Sequence, residues 1–215
     1  MDLAVNHDET VVNPGNDAAI MVRTLTSEHR ERWEAFVESC PEATFFHQAG
    51  WQEVLEKAFG HDTYYLYAER NGRIAGVLPL GHIRSRLFGN ALISTPFCVY
   101  GGIATEDAAV FAELEAAACA LADSLQVDYL EMRTREARHA DWPGKDLYVT
   151  FRKAIAPDPE QNLLAIPRKQ RAMVRKGIKA GLKGEFDHST GRFYEVYAQS
   201  VRMLGTPVFS SRYFE

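Results

Sequence analysis

The sequence predicts an α/β fold with a mixed sheet (α+β), in which helices pack on the sheet. Two alternating apolar runs joined by Asn71-Gly72 predict an antiparallel hairpin, because that dipeptide tolerates the positive φ angles of a type I′ turn. Amphipathic helices are predicted both before and after this hairpin along the chain. Since a later helix can serve as a parallel crossover, the sheet is expected to contain antiparallel and parallel pairs.

The chain before the hairpin predicts one strand and two helices. A short apolar stretch from Ile20 to Leu25 predicts the strand, and Thr26 or Ser27 can cap the helix that follows. That helix ends at Pro41, and its apolar stripe consists of Trp33, Phe36, Val37 and Cys40. A second helix is predicted in "HQAGWQEVLEKAFG", where Gly60 suits the C′ position. Its stripe consists of Trp51, Val54, Leu55, Ala58 and Phe59.

The chain from the hairpin onward predicts turns, a helix and two further strands. The hairpin lies in "TYYLYAERNGRIAGVLPLGHI", and the Gly-rich "ISTPFCVYGGIATED" predicts a turn region. A helix over residues 106–125 is indicated by apolar residues at 3-and-4 spacing, namely Phe111, Leu114, Ala118, Leu121 and Leu125. The segments "DYLEMR" and "LYVTFRKAI" then predict strands.

The same patterns predict a division into a tail and two domains. Residues 1–19 are polar and contain Pro14 and Gly15, so they predict a flexible tail. Residues 20–156 hold the predicted sheet and form the first domain. After "APDPE", residues 157–215 hold two more helix candidates and no strand to cover them, which predicts the incomplete start of a second domain.

Composition limits the possible locations and partners. The formal net charge is −5, and the basic residues cluster in one short segment, whereas binding that coats a nucleic acid neutralises many phosphates. Three widely spaced cysteines among apolar neighbours predict reduced thiols, and the N-terminus has no apolar signal region. We therefore expect a cytoplasmic protein with no transmembrane segment. The seven histidines show no metal-ligand spacing, so no metal site is expected.

The segment 167–183, "PRKQRAMVRKGIKAGLK", predicts a helix with one cationic side. At roughly 100° per residue, its seven Lys and Arg residues fall within an arc of about 160°, and the segment contains no acid. A solvated face normally interleaves Glu with Lys, so this uncompensated charge favours an anionic ligand, with a merely solvated face as the alternative. Gly177 and Gly181 lower helix stability and predict either close backbone packing or the end of the helix.

Several segments together resemble the FemAB/FemX-type transferase family. "LLAIPRKQRAMVRKGIKAGL" followed by "FYEVYAQSVRMLGTPVFSSRYF" is similar to the start of that family's second domain. "FFHQAGWQEVL" and "STPFCVYGGI" resemble the Gln-x-x-Trp helix and the Tyr-Gly-Gly turn of its first domain. The likeness is greatest to FemAB-like proteins associated with PEP-CTERM/exosortase and exopolysaccharide loci, and it runs from about residue 22 to the end.

This resemblance implies a tandem of GNAT-like N-acyltransferase domains, of which the second is truncated here. Characterised members transfer an amino acid from aminoacyl-tRNA and form an amide on a cell-envelope precursor. The basic helix would then bind the phosphates of a nucleotide-linked or lipid-linked precursor, or tRNA. Its predicted ligand-binding residues are Arg168, Lys169, Arg171, Arg175, Lys176 and Lys179.

No cofactor is established by the sequence, and the acyl donor is expected to be aminoacyl-tRNA or acyl-CoA. The chain lacks the Gly-rich pyrophosphate loop of acetyl-CoA-dependent GNAT enzymes, so acetyl-CoA-dependent N-acetylation stays an alternative without direct support. A non-enzymatic module that binds RNA or an acidic polymer is the alternative from another class.

Further candidate substrate-binding residues lie in the predicted first domain, while no catalytic base can be named. They are His47, Gln48, Trp51, Tyr100, Gly101 and Gly102. Paired glycines let backbone N–H groups approach a ligand, although a simple turn explains them equally well. His47 and Gln48 can instead cap a helix, and Cys98 is either an acyl-accepting nucleophile or a buried thiol.

Overall fold

The computed structural model describes residues 19–87, 89–145 and 148–215, and the chain divides into two compact units, 1–138 and 139–215. The predicted flexible tail over 1–19 lies almost wholly outside the described residues. The division between the two units falls between Arg138 and His139, and the domain boundary at residue 156 stays a prediction.

The first unit is built on a five-stranded sheet in the order β1-β2-β3-β4-β5. Its strands are β1 (Met21–Thr24), β2 (Asp62–Arg70), β3 (Arg73–Ser85), β4 (Gly89–Ser94) and β5 (Tyr129–Glu131). Neighbouring strands run antiparallel except for β4 and β5, which are parallel. The predicted α/β fold with a mixed sheet is therefore confirmed.

Helices cover both faces of this sheet. Helices α1 (Arg30–Ser39) and α2 (Gly50–Phe59) lie on one face, where Trp33 packs with Tyr65 and Tyr67 of β2. Helix α3 (Ala108–Ser124) covers the other face, and its Leu114 joins the cluster around Leu66. Since β2 alternates between the two clusters, its central residues are buried on both sides.

Local sequence signals set the turns of this unit as expected. Asn71 and Gly72 have φ angles of 52° and 72° and form a two-residue connection between β2 and β3. Gly60 ends α2 with a φ of 69°, and its N–H donates to Glu56 O. These two elements follow from backbone requirements that glycine satisfies without strain.

Strand β4 is the part of the sheet that the sequence interpretation missed. It pairs with β3 from Leu80↔Ser94 to Ser85↔Gly89. Its residues from Ala91 to Ser94 are all buried, so the strand shows no alternation of apolar and polar residues. A short apolar run of this kind is not distinguished from a turn region by periodicity.

The second unit consists of helices and irregular segments in its described residues. The helices are α4 (Pro159–Leu164), α5 (Arg168–Lys179) and α6 (Thr190–Met203). The predicted α5 and α6 are confirmed, whereas α4, capped by Asp158, was not predicted. The predicted strand in "LYVTFRKAI" is wrong for residues 148–155, which form no strand. Tyr148 and Phe151 are 90% and 93% exposed, because an alternating segment needs a paired strand before it can bury a face.

Candidate functional site

Helix α5 presents the positive charges that the sequence singled out. Its residues are mostly good helix formers, and Pro167 precedes its first turn. Five cationic side chains of the helix lie exposed and have no acidic partner within ion-pair distance among the described residues; they are Arg168, Lys169, Arg175, Lys176 and Lys179. Such a row of unpaired cations can bind phosphate or carboxylate groups.

Arg171 differs from the other cations of α5 because backbone carbonyls occupy its guanidinium. Nη2 donates to Leu164 O at 2.7 Å and to Ile166 O at 2.9 Å, and Nε donates to Ile166 O at 3.2 Å. Leu164 ends α4, so this side chain satisfies carbonyls at the junction between α4 and α5. Arg171 belongs to the predicted ligand-binding set, but in the structure its guanidinium connects α5 to the end of α4.

The apolar side of α5 is exposed in the described chain. Met173 is 65%, Val174 42% and Ile178 64% exposed. Helix α5 ends at Lys179, and Gly181 follows with a φ of 75°. A Cβ on Gly177 would meet only Leu182 Cδ1, at 3.4 Å. Helix termination, the alternative to close backbone packing, therefore accounts for Gly181, and Lys183 lies beyond the helix.

Gly101 and Gly102 do not offer free N–H groups. Both N–H groups donate to Arg133 O, at 3.1 and 3.3 Å. A Cβ on Gly101 would come within 2.6 Å of Thr95 Cβ, and one on Gly102 within 2.7 Å of Thr134 Cγ2. The glycines allow the loop to pack against neighbouring backbone, so the predicted approach of their N–H groups to a ligand does not occur in this arrangement.

His47 is buried and connects two loops of the first unit. Thr44 N–H donates to its Nδ1 at 3.0 Å, so the proton resides on Nε2, which donates to Gly102 O at 2.8 Å. Trp33 Nε1 donates to His47 O at 2.7 Å. Burial lowers the pKa of His47 and keeps the ring neutral. The capping alternative describes His47, and its contact with Gly102 brings together two of the predicted residues.

The remaining predicted residues of the first unit lie at its surface. Gln48 is exposed and borders a cavity of about 570 Å³ that also contains Glu34 and Glu38. Trp51 packs edge-on against Phe45, with ring centroids 5.7 Å apart. Tyr100 is partly exposed. The substrate-binding role of these three side chains stays a prediction.

Cys98 is a buried thiol. Its side chain is 6% exposed, and burial raises its pKa to about 12. A thiol with that pKa stays protonated at neutral pH and is a poor nucleophile. The nucleophile alternative for Cys98 is therefore disfavoured.

Strained backbone at the carboxyl end of β4 was not predicted. Thr95 and Phe97 have φ angles of 36° and 67°, which side chains with a Cβ rarely adopt. Thr95 Oγ1 donates to Phe46 O at 3.2 Å, and Phe97 stacks on Phe59 with ring centroids 4.3 Å apart. Ligands of α/β sheets often bind at the carboxyl ends of strands, and strain concentrates at such sites. No sequence signal marks these angles, because neither residue is a type that favours positive φ.

Among the described residues, no group of His, Cys, Asp and Glu side chains could hold a metal ion. The described helices include none that is long and apolar enough to cross a membrane. Cys40, Cys98 and Cys119 are free thiols.

The chain matches no family model and no curated protein sequence. Solved structures that are similar to it include a GNAT family acetyltransferase from Staphylococcus aureus subsp. aureus USA300_TCH1516, with a TM-score of 0.38 and 11% identity, covering 65% of this chain and 98% of that one. An aminoglycoside N-acetyltransferase AAC(6′)-Iy in complex with CoA gives a TM-score of 0.44 and 13% identity, covering 67% and 100%. A transcriptional regulator from Bacillus halodurans C-125 gives 0.38 and 11%, covering 80% and 100%. At these scores the likenesses carry no argument about reaction or substrate.

Proposed function

We propose that the chain is a cytoplasmic N-acyltransferase or aminoacyltransferase that forms an amide on a cell-envelope or exopolysaccharide precursor. The resemblance to FemAB/FemX-type transferases motivates the reaction class. The observation that carries the proposal is the row of five exposed cations on α5 that have no acidic partner among the described residues. In this proposal these cations bind the phosphates that link the precursor to a nucleotide or a lipid, and the acyl donor is aminoacyl-tRNA or acyl-CoA.

The chemistry of the cations fits a diphosphate better than a single carboxylate. Arg168 and Arg175 each offer a planar fork of donors, whereas Lys176 and Lys179 act as point charges. Substitution of Arg171 is not informative for this purpose, because its guanidinium already binds Leu164 O and Ile166 O. The catalytic base stays unassigned.

The binding part of the proposal is tested by titrating the chain with UDP. We expect Arg175→Gln with Lys176→Gln to weaken UDP binding by about a hundredfold or more, since each of the two lost charged contacts costs about 1.5–3 kcal/mol. The matched control replaces two exposed cations outside α5, Arg202→Gln with Arg212→Gln, and should leave the affinity unchanged. Equal affinity of both double variants would refute the role of α5.

The reaction is tested by incubating the chain with a UDP-linked amino sugar and either alanyl-tRNA or acetyl-CoA. Formation of an amide would appear as a mass increase of the sugar nucleotide by one alanyl or one acetyl group. The donor that gives the product identifies the donor class. An unchanged sugar nucleotide with both donors would contradict the transferase proposal for this chain and this acceptor class.

A non-enzymatic polyanion-binding module is the second candidate, favoured by the exposure of most residues of α5. The salt dependence of RNA binding separates the two functions. A polyanion binder that neutralises several phosphates loses affinity steeply as salt rises, whereas a site for one diphosphate shows a shallow dependence.

A further inference from the structure

Helix α5 is short, and it presents a cationic side and an exposed apolar side. Neither side stabilises a helix of this length in water. It has 12 residues, and isolated helices shorter than about 12–15 residues are marginal in water. Its cations repel one another without acidic relief among the described residues, and Gly177 lies inside it. Most helical stability in proteins comes from packing of an apolar face, yet Met173, Val174 and Ile178 lie exposed.

A single surface that stabilises both sides of α5 is therefore anionic and apolar at the same time. The interface of an anionic lipid bilayer has both properties, since phosphates lie directly above the acyl chains. Basic amphipathic helices are typical of such surfaces. The apolar side of α5 continues beyond the helix into Leu182, which is 77% exposed.

We propose that α5 is an in-plane membrane helix whose apolar side enters the headgroup boundary of an anionic bilayer while its cations contact lipid phosphates. An acidic protein groove is the alternative occupant, and failure of the chain to bind the mixed vesicles would favour it. The inference stands independently of the proposed reaction. If both hold, the acceptor is the lipid-linked form of the precursor.

Flotation of the full chain with lipid vesicles tests this inference. The probes are vesicles of phosphatidylcholine alone and vesicles of phosphatidylcholine with phosphatidylglycerol in a two-to-one molar ratio. We expect binding to the mixed vesicles only. Each cation near an anionic surface contributes a similar free energy of binding. Removal of two of them, in Arg175→Gln with Lys179→Gln, should therefore weaken binding to the mixed vesicles by about thirtyfold.

The apolar side is tested separately from the charge. Met173→Gln with Ile178→Gln keeps good helix formers and should weaken binding to mixed vesicles by at least about tenfold, while UDP affinity stays unchanged. The matched control, Val196→Gln with Met203→Gln, changes two exposed apolar residues of α6 and should bind vesicles like the parent chain.

The outcomes distinguish the membrane inference from the proposed function. Equal binding of the parent chain to both kinds of vesicle, or full binding by the Met173/Ile178 variant, would overturn the membrane inference. Failure of the parent chain to bind UDP, with vesicle binding intact, would contradict the proposed function and leave the membrane inference standing. Circular dichroism of each variant in buffer verifies that its helix content matches that of the parent chain.

Discussion

His47 shows how one neutral imidazole holds two loops of the first unit together. Its Nδ1 accepts from Thr44 N–H, and its Nε2 donates to Gly102 O. A protonated ring would lose the first of these contacts, because Nδ1 could no longer accept a hydrogen bond. Burial is the main cause that lowers the pKa of His47. The stability of the first unit is therefore linked to the protonation of this residue.

The linkage predicts a stability that falls in acid. Because the pKa of His47 is lower in the folded state, the unfolded chain takes up a proton first as the pH drops below about 6.5. The His47 contribution is complete above that value and is lost as the pH falls toward the folded pKa. The free energy of unfolding can change by at most about 1.4 kcal/mol per pH unit through this residue. Urea unfolding followed by tryptophan fluorescence measures it.

The matched variant is His47→Gln, which does not titrate. We expect its free energy of unfolding to depend less on pH between neutral and mildly acidic conditions than that of the parent chain. His61, whose pKa burial also lowers, is present in both chains and cancels from the difference. Identical pH dependence in the two chains would show that His47 is not the linked group.

At the scale of the element, the start of α3 depends on one carboxylate with two functions. Asp107 Oδ1 accepts from Ala109 N–H at 2.8 Å and from Val110 N–H at 3.2 Å, which caps the helix. Its Oδ2 binds Arg70 Nη1 at 2.5 Å, and this bond lowers the pKa of Asp107. The cap ties α3 to the end of β2, because Arg70 is the last residue of that strand.

Substitution of Asp107 separates the cap from the ion pair. Asp107→Ala removes both and should lower the free energy of unfolding by about 1–2 kcal/mol, while Asp107→Asn keeps a good capping side chain and should cost less. Urea unfolding of the three chains measures the order. Equal losses in the two variants would indicate that the ion pair alone stabilises this end of α3.

The cationic side chains of helix α5 have two different roles. Five of its cations are exposed and unpaired among the described residues, whereas Arg171 binds the carbonyls of Leu164 and Ile166. Removal of Arg171 is expected to disturb the junction between α4 and α5. Removal of the other cations is expected to affect anion binding.

For the whole molecule, the two units differ in how their apolar residues are covered. The first unit buries Trp33, Tyr65 and Leu114 completely. The second leaves Phe151, Phe186 and Met203 largely exposed. Sheet and helices thus give the first unit two apolar clusters, while the described second unit contains no fully buried residue.

This difference predicts the order of proteolysis. Chymotrypsin should cleave first after Tyr148, Phe151 and Phe186, because these residues are exposed in segments without helix or strand. Tyr65 and Tyr67, buried in β2, should be cut late. Mass spectrometry of the first fragments identifies the sites. Early cleavage within the strands of the first unit would contradict the expected order.

Much of the fold was predictable from local requirements. The Asn71-Gly72 turn, the end of α2 at Gly60 and the apolar stripe of α3 each depend on backbone angles or periodicity within one segment. The cluster of basic residues in α5 was also evident from the sequence alone. The candidate site was less predictable, because hydrogen bonds between distant segments decide which groups remain available to a ligand.

The sequence by itself determined the hairpin, the amphipathic helices and a concentrated positive charge in an acidic chain, since spacing and residue type suffice for each of these. Only the tertiary structure decided that β4 is a buried strand, that Arg133 O occupies the Gly101 and Gly102 N–H groups, and that residues 148–155 form no strand. The physical reason is that these features require partners far away in the sequence, and a pattern within one segment does not identify those partners.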